Sequence, residues 1–131
     1  IVGFKLDHLD EWIERRQQIA RRYTAVLDEI SSAIPPLEIS GARHVFHKYV
    51  LTVGNERDRL RKHLSNAGIG TMVHYASPLH KEPLFAEYFT TEPNFPEAER
   101  LSREALSLPI YPELEDSDVN YICDQLTIFD W

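Results

Sequence analysis

Apolar residues recur along the first quarter of the chain at Val2, Leu6, Leu9, Ile13, Ala20, Tyr23, Leu27 and Ile30, three or four apart except where Arg16 and Gln17 intervene. That spacing is the stripe of an amphipathic helix. Trp12 and Ile19 widen the stripe, while Glu11, Glu14, Arg15, Arg22 and Asp28 keep the opposite side wet, with ion pairs one turn apart. A helix over 7–30, ending near Ser31, would be about 36 Å long at 1.5 Å per residue, comparable to the width of a small domain. The pattern therefore predicts a rod that packs on more than this chain. Pro35 and Pro36 then impose an extended connection, since neither offers an N–H and each restricts the residue before it.

Period-two alternation follows over 46–53, where His47, Tyr49, Leu51 and Val53 share one face of an expected strand closed by Gly54. Asn55 is placed to cap a helix whose inward stripe is Leu60, Leu64 and Ala67 and whose end is marked by Gly68. A second strand is expected over 69–75, with Ile69, Thr71, Val73 and Tyr75 on one face and Met72 and His74 on the other. Pro78, Pro83, Pro93 and Pro96 punctuate an irregular segment with one short helix around 84–89. Pro96 at a first helical position starts a helix reaching Leu106, with Ala98, Leu101 and Ala105 inward, and 108–112 runs extended as an edge strand or loop. Asp116 or Ser117 caps a last helix buried through Val119, Ile122, Cys123 and Leu126. The order predicts an α+β fold: a small, mostly antiparallel sheet with packed helices, preceded by a long N-terminal amphipathic helix. Residues 1–131 read as a single domain, the long helix over 1–33 and the α+β body over 44–131.

Composition narrows the class. At 131 residues and 43% hydrophobic, the chain can close one core without a metal or disulfide staple. The single cysteine, Cys123, has no internal partner, and no run approaches the ~20 apolar residues of a membrane span. A reducing, cytoplasmic setting is expected, with no membrane partner. The net charge of -7 argues against a general nucleic-acid binder, which needs a basic face for phosphates. The chain opens on Ile1 without the features of a signal peptide, and a fragment is expected.

Six histidines carry most of the candidate chemistry. The pairs His44 and His47, and His74 and His80, have spacings that zinc ligands can use. However, strand geometry sends the first pair to opposite faces, and no cysteine pair or HExxH helix accompanies them, so no metal site is expected. His44 and His47 read as hydrogen-bonded structural residues, His8 and His63 as solvated ones. His74 differs: it ends an expected strand beside Tyr75 and enters the loop Ala76-Ser77-Pro78, with His80 beyond, and strand ends feeding rigid loops are where ligand groups collect. Tyr75 could equally be a core aromatic with its hydroxyl satisfied. Arg57, Arg59, Arg61 and Lys62 read as a solvated helix face rather than a phosphate site. Glycine-rich phosphate loops are absent, Ser77 lacks the elbow of a hydrolase nucleophile, and Cys123 reads as a small buried hydrophobe. These residues alone amount to an acidic α+β domain with one histidine-aromatic loop.

Several segments, in order, resemble the DegT/DnrJ/StrS-type pyridoxal-phosphate-dependent nucleotide-sugar aminotransferases of the fold-type I superfamily. They are Leu6-Asp7-His8-Leu9-Asp10-Glu11-Trp12 with Arg15-Arg16 and Tyr23; His44-Val45-Phe46-His47-Lys48-Tyr49-Val50; the run from Arg57-Asp58 through Gly68-Ile69-Gly70-Thr71 to His74-Tyr75, Pro78-Leu79-His80; Phe95-Pro96 with Ala98-Glu99; and 106–112 with Asp118-Val119. Ala76 departs from the proline common after His-Tyr in the family, which affects local loop shape. The resemblance implies that the chain is the C-terminal small domain of such an enzyme, the long helix linking it to an N-terminal domain that binds pyridoxal phosphate. It implies substrate-binding roles for His74, Tyr75 and His80, glutamate as amino donor, a nucleotide-linked keto-sugar as acceptor, and a homodimer in the full-length protein. The catalytic lysine and the cofactor-binding residues would precede Ile1. No catalytic or cofactor-binding residue, and no covalently bound cofactor, is therefore expected in this chain, which would be inactive alone. A free-standing binding or regulatory module, or a structural dimerisation module, is the alternative reading.

Overall fold

The structure is a computed structural model that describes residues 2–89, 91 and 93–131. Its longest element is α2 (Leu9–Leu27), preceded by the short α1 (Val2–Leu6). The rod expected over 7–30 is thus divided at its start and shortened at its end. The division falls at Asp7 and His8, weak helix formers, where the His8 N–H bonds back three residues to the Lys5 carbonyl at 3.3 Å. Asp10 and Glu11 then occupy the first turn of α2, where the helix dipole favours anions. At the far end the Ile30 N–H bonds the Leu27 carbonyl and the Ala33 N–H bonds that of Ile30. This turn delivers Ile34 to Thr52, with which it exchanges two backbone bonds of 2.8 and 3.0 Å. Helical periodicity carries no sign of that pairing.

The sheet is small and antiparallel. β1 (Tyr49–Thr52) pairs with β2 (Ala105–Leu108), Tyr49 opposite Leu108 and Thr52 opposite Ala105. Isolated bridges from Ile34 to Thr52 and from Met72 to Ser107 extend it on both sides, each antiparallel. With helices packed against it and a long amphipathic helix ahead of it, the chain has the α+β class that its pattern predicts.

Several boundaries differ for identifiable reasons. The strand expected over 46–53 begins only at Tyr49, because Phe46 takes a left-handed conformation with φ of 46°, its N–H bonded to His44 Nδ1 at 3.0 Å. The strand expected over 69–75 reduces to the Met72 bridge. α4 (Pro96–Glu104) stops short of Leu106, because Ala105 and Leu106 pair with β1, and 108–112 is no separate edge strand, Leu108 being the last residue of β2. The α4 face is also reversed: Ser102 is buried while Ala98 and Leu101 are exposed. Arg57 holds the Ser102 carbonyl at 3.1 Å and His80 meets Glu99 at 3.2 Å, so polar anchors set the rotation of this helix. The short helix expected around 84–89 is a 3-10 turn over Pro83–Tyr88.

α3 (Arg57–Asn66) buries Leu60 and Leu64 and follows a 3-10 turn over Gly54–Glu56, so Asn55 is not its cap. It ends as its sequence predicts. Gly68, at φ of 77°, donates to the Ser65 carbonyl, and Ile69 donates to that of Leu64 at 2.8 Å, the paired bonds of a left-handed glycine cap. α5 (Asp116–Ile128) buries Val119, Ile122 and Leu126 and packs on α2. Neither expected cap is used. Asp116 is the first helical residue, and its carboxylate instead meets Arg15 and Arg22, each at 3.0 Å. One apolar core joins Ile19, Tyr23 and Leu27 of α2 to Tyr49 and Leu51 of β1, Leu60 and Leu64 of α3, Leu106 of β2, and the α5 face. The N-terminal part of the stripe lies outside it: Leu6 of α1 and Leu9 of α2 are exposed and Ile13 only half-buried.

Candidate functional site

The candidate site lies at the open end of the sheet, where β1 begins and β2 ends. There a cavity of about 250 Å³ is lined by His47 and Lys48 ahead of β1, by Gly70, Met72 and His74, and by Ser107 through Ile110. Its position follows from register. With Tyr49 opposite Leu108, the residues just before β1 and just after β2 must face one another, and the Met72–Ser107 bridge lays a third segment along the same end. The bridge is made by two backbone bonds of 3.1 and 2.7 Å, so the residues that precede and follow Met72 are fixed to the sheet.

His74 is held by a side-chain bond. Its Nδ1 lies 2.9 Å from the Ser107 hydroxyl, and Ser107 is one of the buried polar residues of the fold, 6% exposed. With Nδ1 engaged, Nε2 is the nitrogen left for a ligand. The Tyr75 ring stands at 89° to the His74 ring with centroids 5.6 Å apart, and a cis peptide bond joins the two residues. Tyr75 is 72% exposed, which answers the question left by the sequence: it is a surface ring, not a core one. Above it the Lys48 ammonium lies 5.8 Å from the ring centroid, within cation–π range.

The third predicted residue, His80, is placed elsewhere. Its ring is almost wholly buried, bonded through Nε2 to Glu99 and packed edge-on against Phe95 at 4.9 Å. Lys81 joins the same carboxylate at 3.4 Å. The hydrogen bond from His80, followed by the Lys81 contact, holds the Glu99 carboxyl below the usual range. His80 borders a second, mainly aromatic cavity with Phe85, Tyr88, Phe89 and Phe95. The structure therefore brings His74 and Tyr75 together and separates both from His80, which anchors the 76–81 loop on α4.

His47 and Lys48 were not singled out as site residues by sequence reasoning. The sequence places both inside the strand expected over 46–53, and register across the sheet is what brings them to His74. His44 has the structural role expected of it, its ring packed on Phe46 at 4.1 Å. His63, expected to be solvated, instead meets the Gln125 carbonyl at 3.0 Å and the Phe129 ring at 5.4 Å. His8 is stacked on Trp12. Of the basic run on α3, Arg57 is largely buried against Ser102 and Asp58, and Arg59 reaches Glu56 and the Asp130 carbonyl. Half of that face is therefore structural tether, and Arg61 and Lys62 are exposed. Burial raises the pKa of Cys123 and keeps it a thiol. Among the described residues, no three His, Cys, Asp or Glu side chains converge on a possible metal site. No helix of the described residues is long and apolar enough to cross a membrane.

Pyridoxal phosphate, the cofactor that the resemblance implies, calls for a lysine amine, an acidic or basic partner for its ring nitrogen, and a phosphate cradle. The His74 cavity does not hold that set. Lys48 is its one lining amine, no Asp or Glu lines it, and the backbone groups of Met72 and Ser107 are spent on each other. The residues present make one wall of a ligand site, and the cofactor does not fit them as a complete cradle.

The chain matches part of several known proteins. The chain is 40% identical to a pleiotropic regulatory protein of Geobacillus stearothermophilus, over 98% of this chain and 35% of that protein. It is 36% identical to the dTDP-3-amino-3,4,6-trideoxy-alpha-D-glucose transaminase of Streptomyces venezuelae, over 88% of this chain and 30% of that one. Among solved structures it matches S. venezuelae DesV in complex with a ketimine intermediate, with a TM-score of 0.90 and 34% identity over 95% of this chain and 33% of DesV. The chain thus spans about a third of the length of the relatives it matches. The family model of the DegT/DnrJ/EryC1/StrS aminotransferases matches residues 1–127, nearly the whole sequence, and the chain belongs to that family.

Proposed function

We propose that this chain is the C-terminal small domain of an aminotransferase that moves an amino group from glutamate to a nucleotide-linked keto-sugar, and that it is inactive without the remainder of the enzyme. The observation that carries the reading is the end-to-end match to one third of sugar transaminases, combined with a cavity that supplies only one wall of a site. Pyridoxal phosphate, bound by the N-terminal domain, supplies the electron sink for transamination. The part of this chain is to position substrate. His74 lines the cavity with its ring fixed by Ser107, and Tyr75 offers an exposed aromatic face beside it. His80 contributes to substrate binding through the loop that it ties to Glu99. The end of α1 and the first turns of α2, with Leu6, Leu9 and Ile13 outside the core, are the surface that packs on the N-terminal domain and supports a homodimer.

Incubating the 131-residue chain with pyridoxal phosphate, reducing with borohydride and measuring intact mass should give no stoichiometric adduct on Lys5, Lys48, Lys62 or Lys81. A one-to-one adduct at any of them overturns the reading. In the full-length enzyme, His74→Ala should lower kcat/KM for the keto-sugar by at least tenfold, as loss of a positioned polar contact does. A free-standing regulatory module is the second reading, its regulatory character favoured by the likeness to the pleiotropic regulatory protein of Geobacillus stearothermophilus. The size of the natural polypeptide decides between them: about three times this length supports the aminotransferase, and a product no longer than this chain supports the module.

A further inference from the structure

We infer that Lys48, with His47 beside it, is the oxyanion-recognition point of the His74 cavity, taking a phosphate of the substrate or a carboxylate of the amino donor; this assignment rests on the proposed aminotransferase reading. The first ground is charge. The chain carries 21 Asp and Glu against 14 Lys and Arg, yet none of those acids lines this cavity. In an acidic molecule, a cavity whose only formal charge is a lysine is a local exception, and exceptions of that sign attract anions.

The second ground is how Lys48 is held. Among the described residues Lys48 forms no ion pair, a state it shares with Lys5, Arg16, Arg21, Arg61, Lys62 and Arg103, but of these it alone lines this cavity. Its ammonium lies over the Tyr75 ring instead. A carboxylate partner would neutralise the charge and occupy its N–H donors. A ring face fixes the ammonium through its quadrupole and leaves those donors and the charge available. The third ground is surroundings. Met72, Leu108, Pro109 and Ile110 form apolar walls, which strengthen a Coulomb contact relative to open water. His47 and His74 line the same cavity, His74 with its Nδ1 already taken by Ser107.

The test is an NMR titration of the isotopically labelled 131-residue chain at low salt, with inorganic pyrophosphate in one arm and L-glutamate in the other. Saturable shifts of the Lys48 side chain and of the His47, His74 and Tyr75 rings are expected. Lys48→Gln should weaken binding about tenfold, the effect of losing a charge-assisted contact, while Lys48→Arg retains most of it. Saturation by pyrophosphate assigns the phosphate source, and saturation by glutamate alone assigns the carboxylate; both support Lys48. Shifts spread over Arg61 and Lys62, or binding unchanged in Lys48→Gln with an intact amide spectrum, overturn the assignment. The size of the natural polypeptide does not depend on Lys48, so the proposal can fail while the aminotransferase reading stands.

Discussion

Ser107 shows how one side chain can decide the state of another. It sits in β2 with both backbone groups bonded to Met72, so its hydroxyl is held still, and that hydroxyl is what meets His74 Nδ1. Removing it leaves a half-buried ring nitrogen without its partner, which costs about 1–2 kcal/mol. Ser107→Ala should lower the chain's urea stability by that amount. It should also move the nitrogen-15 shifts of the His74 ring, because the tautomer is no longer selected. Unchanged His74 shifts would show that the hydroxyl does not set the ring. The sequence carried His74 and Tyr75 as candidates through their place before a proline loop, whereas Ser107 and Lys48 had no mark of their own. Their roles depend on atoms 33 and 27 positions away along the chain, respectively, which no local pattern encodes.

Elements show the same division between local and long-range causes. The end of α3 was legible because a glycine cap is a local device: Gly68 at φ of 77° is where an L side chain meets its own carbonyl. Gly68→Ala should cost about 1–2 kcal/mol, read as a lower thermal midpoint with unchanged fold. β2 was misread because Ala105 to Leu108 is buried on both faces and so lacks the alternation that marks a strand. Ala105 and Leu106 continue the helical spacing of Leu101 in α4, which pairing with β1 overrides. At α5 the capping expectation failed because Asp116 has better partners across the α2 interface. Arg15, then Arg22, holds its carboxyl below the ordinary carboxylate range. A depressed folded value means that the contribution is present above the unfolded pKa, about 3.9, and is lost as pH falls through the folded value. The urea midpoint should therefore drop as pH is lowered from about 5 into the acid range, and Asp116→Asn should flatten part of that slope. A wild-type slope retained in the variant would remove Asp116 from the account.

At the scale of the whole molecule, two tyrosines at the centre of the core join what the sequence keeps apart. Tyr23 of α2 donates to the Pro109 carbonyl at 2.9 Å and meets the Tyr49 ring edge-on at 5.2 Å, while the Tyr49 hydroxyl lies 2.8 Å from Thr24 Oγ1. Burial pushes Tyr49 up to about 12 and Tyr23 higher still. A raised folded value means that the stabilisation is complete below the unfolded pKa of about 10 and is lost as pH rises through the folded value. Alkaline titration should therefore show unfolding above about pH 10, with the two buried tyrosines ionising in the same cooperative step. Ionisation of Tyr23 and Tyr49 with the fold intact would contradict this placement.

What the sequence by itself determined is whatever rests on neighbours a few residues apart: the amphipathic α2, the glycine-ended α3, the α5 stripe, the α+β class, and His74 and Tyr75 as the residues to watch. Tertiary structure alone decided the strand register, the rotation of α4, the burial of His80 against Glu99, and the meeting of Lys48, His74 and Ser107 at the end of the sheet. The reason is physical. Periodicity and capping are set by backbone geometry within a turn or two, whereas register and cavity walls are set by which distant surfaces exclude water together.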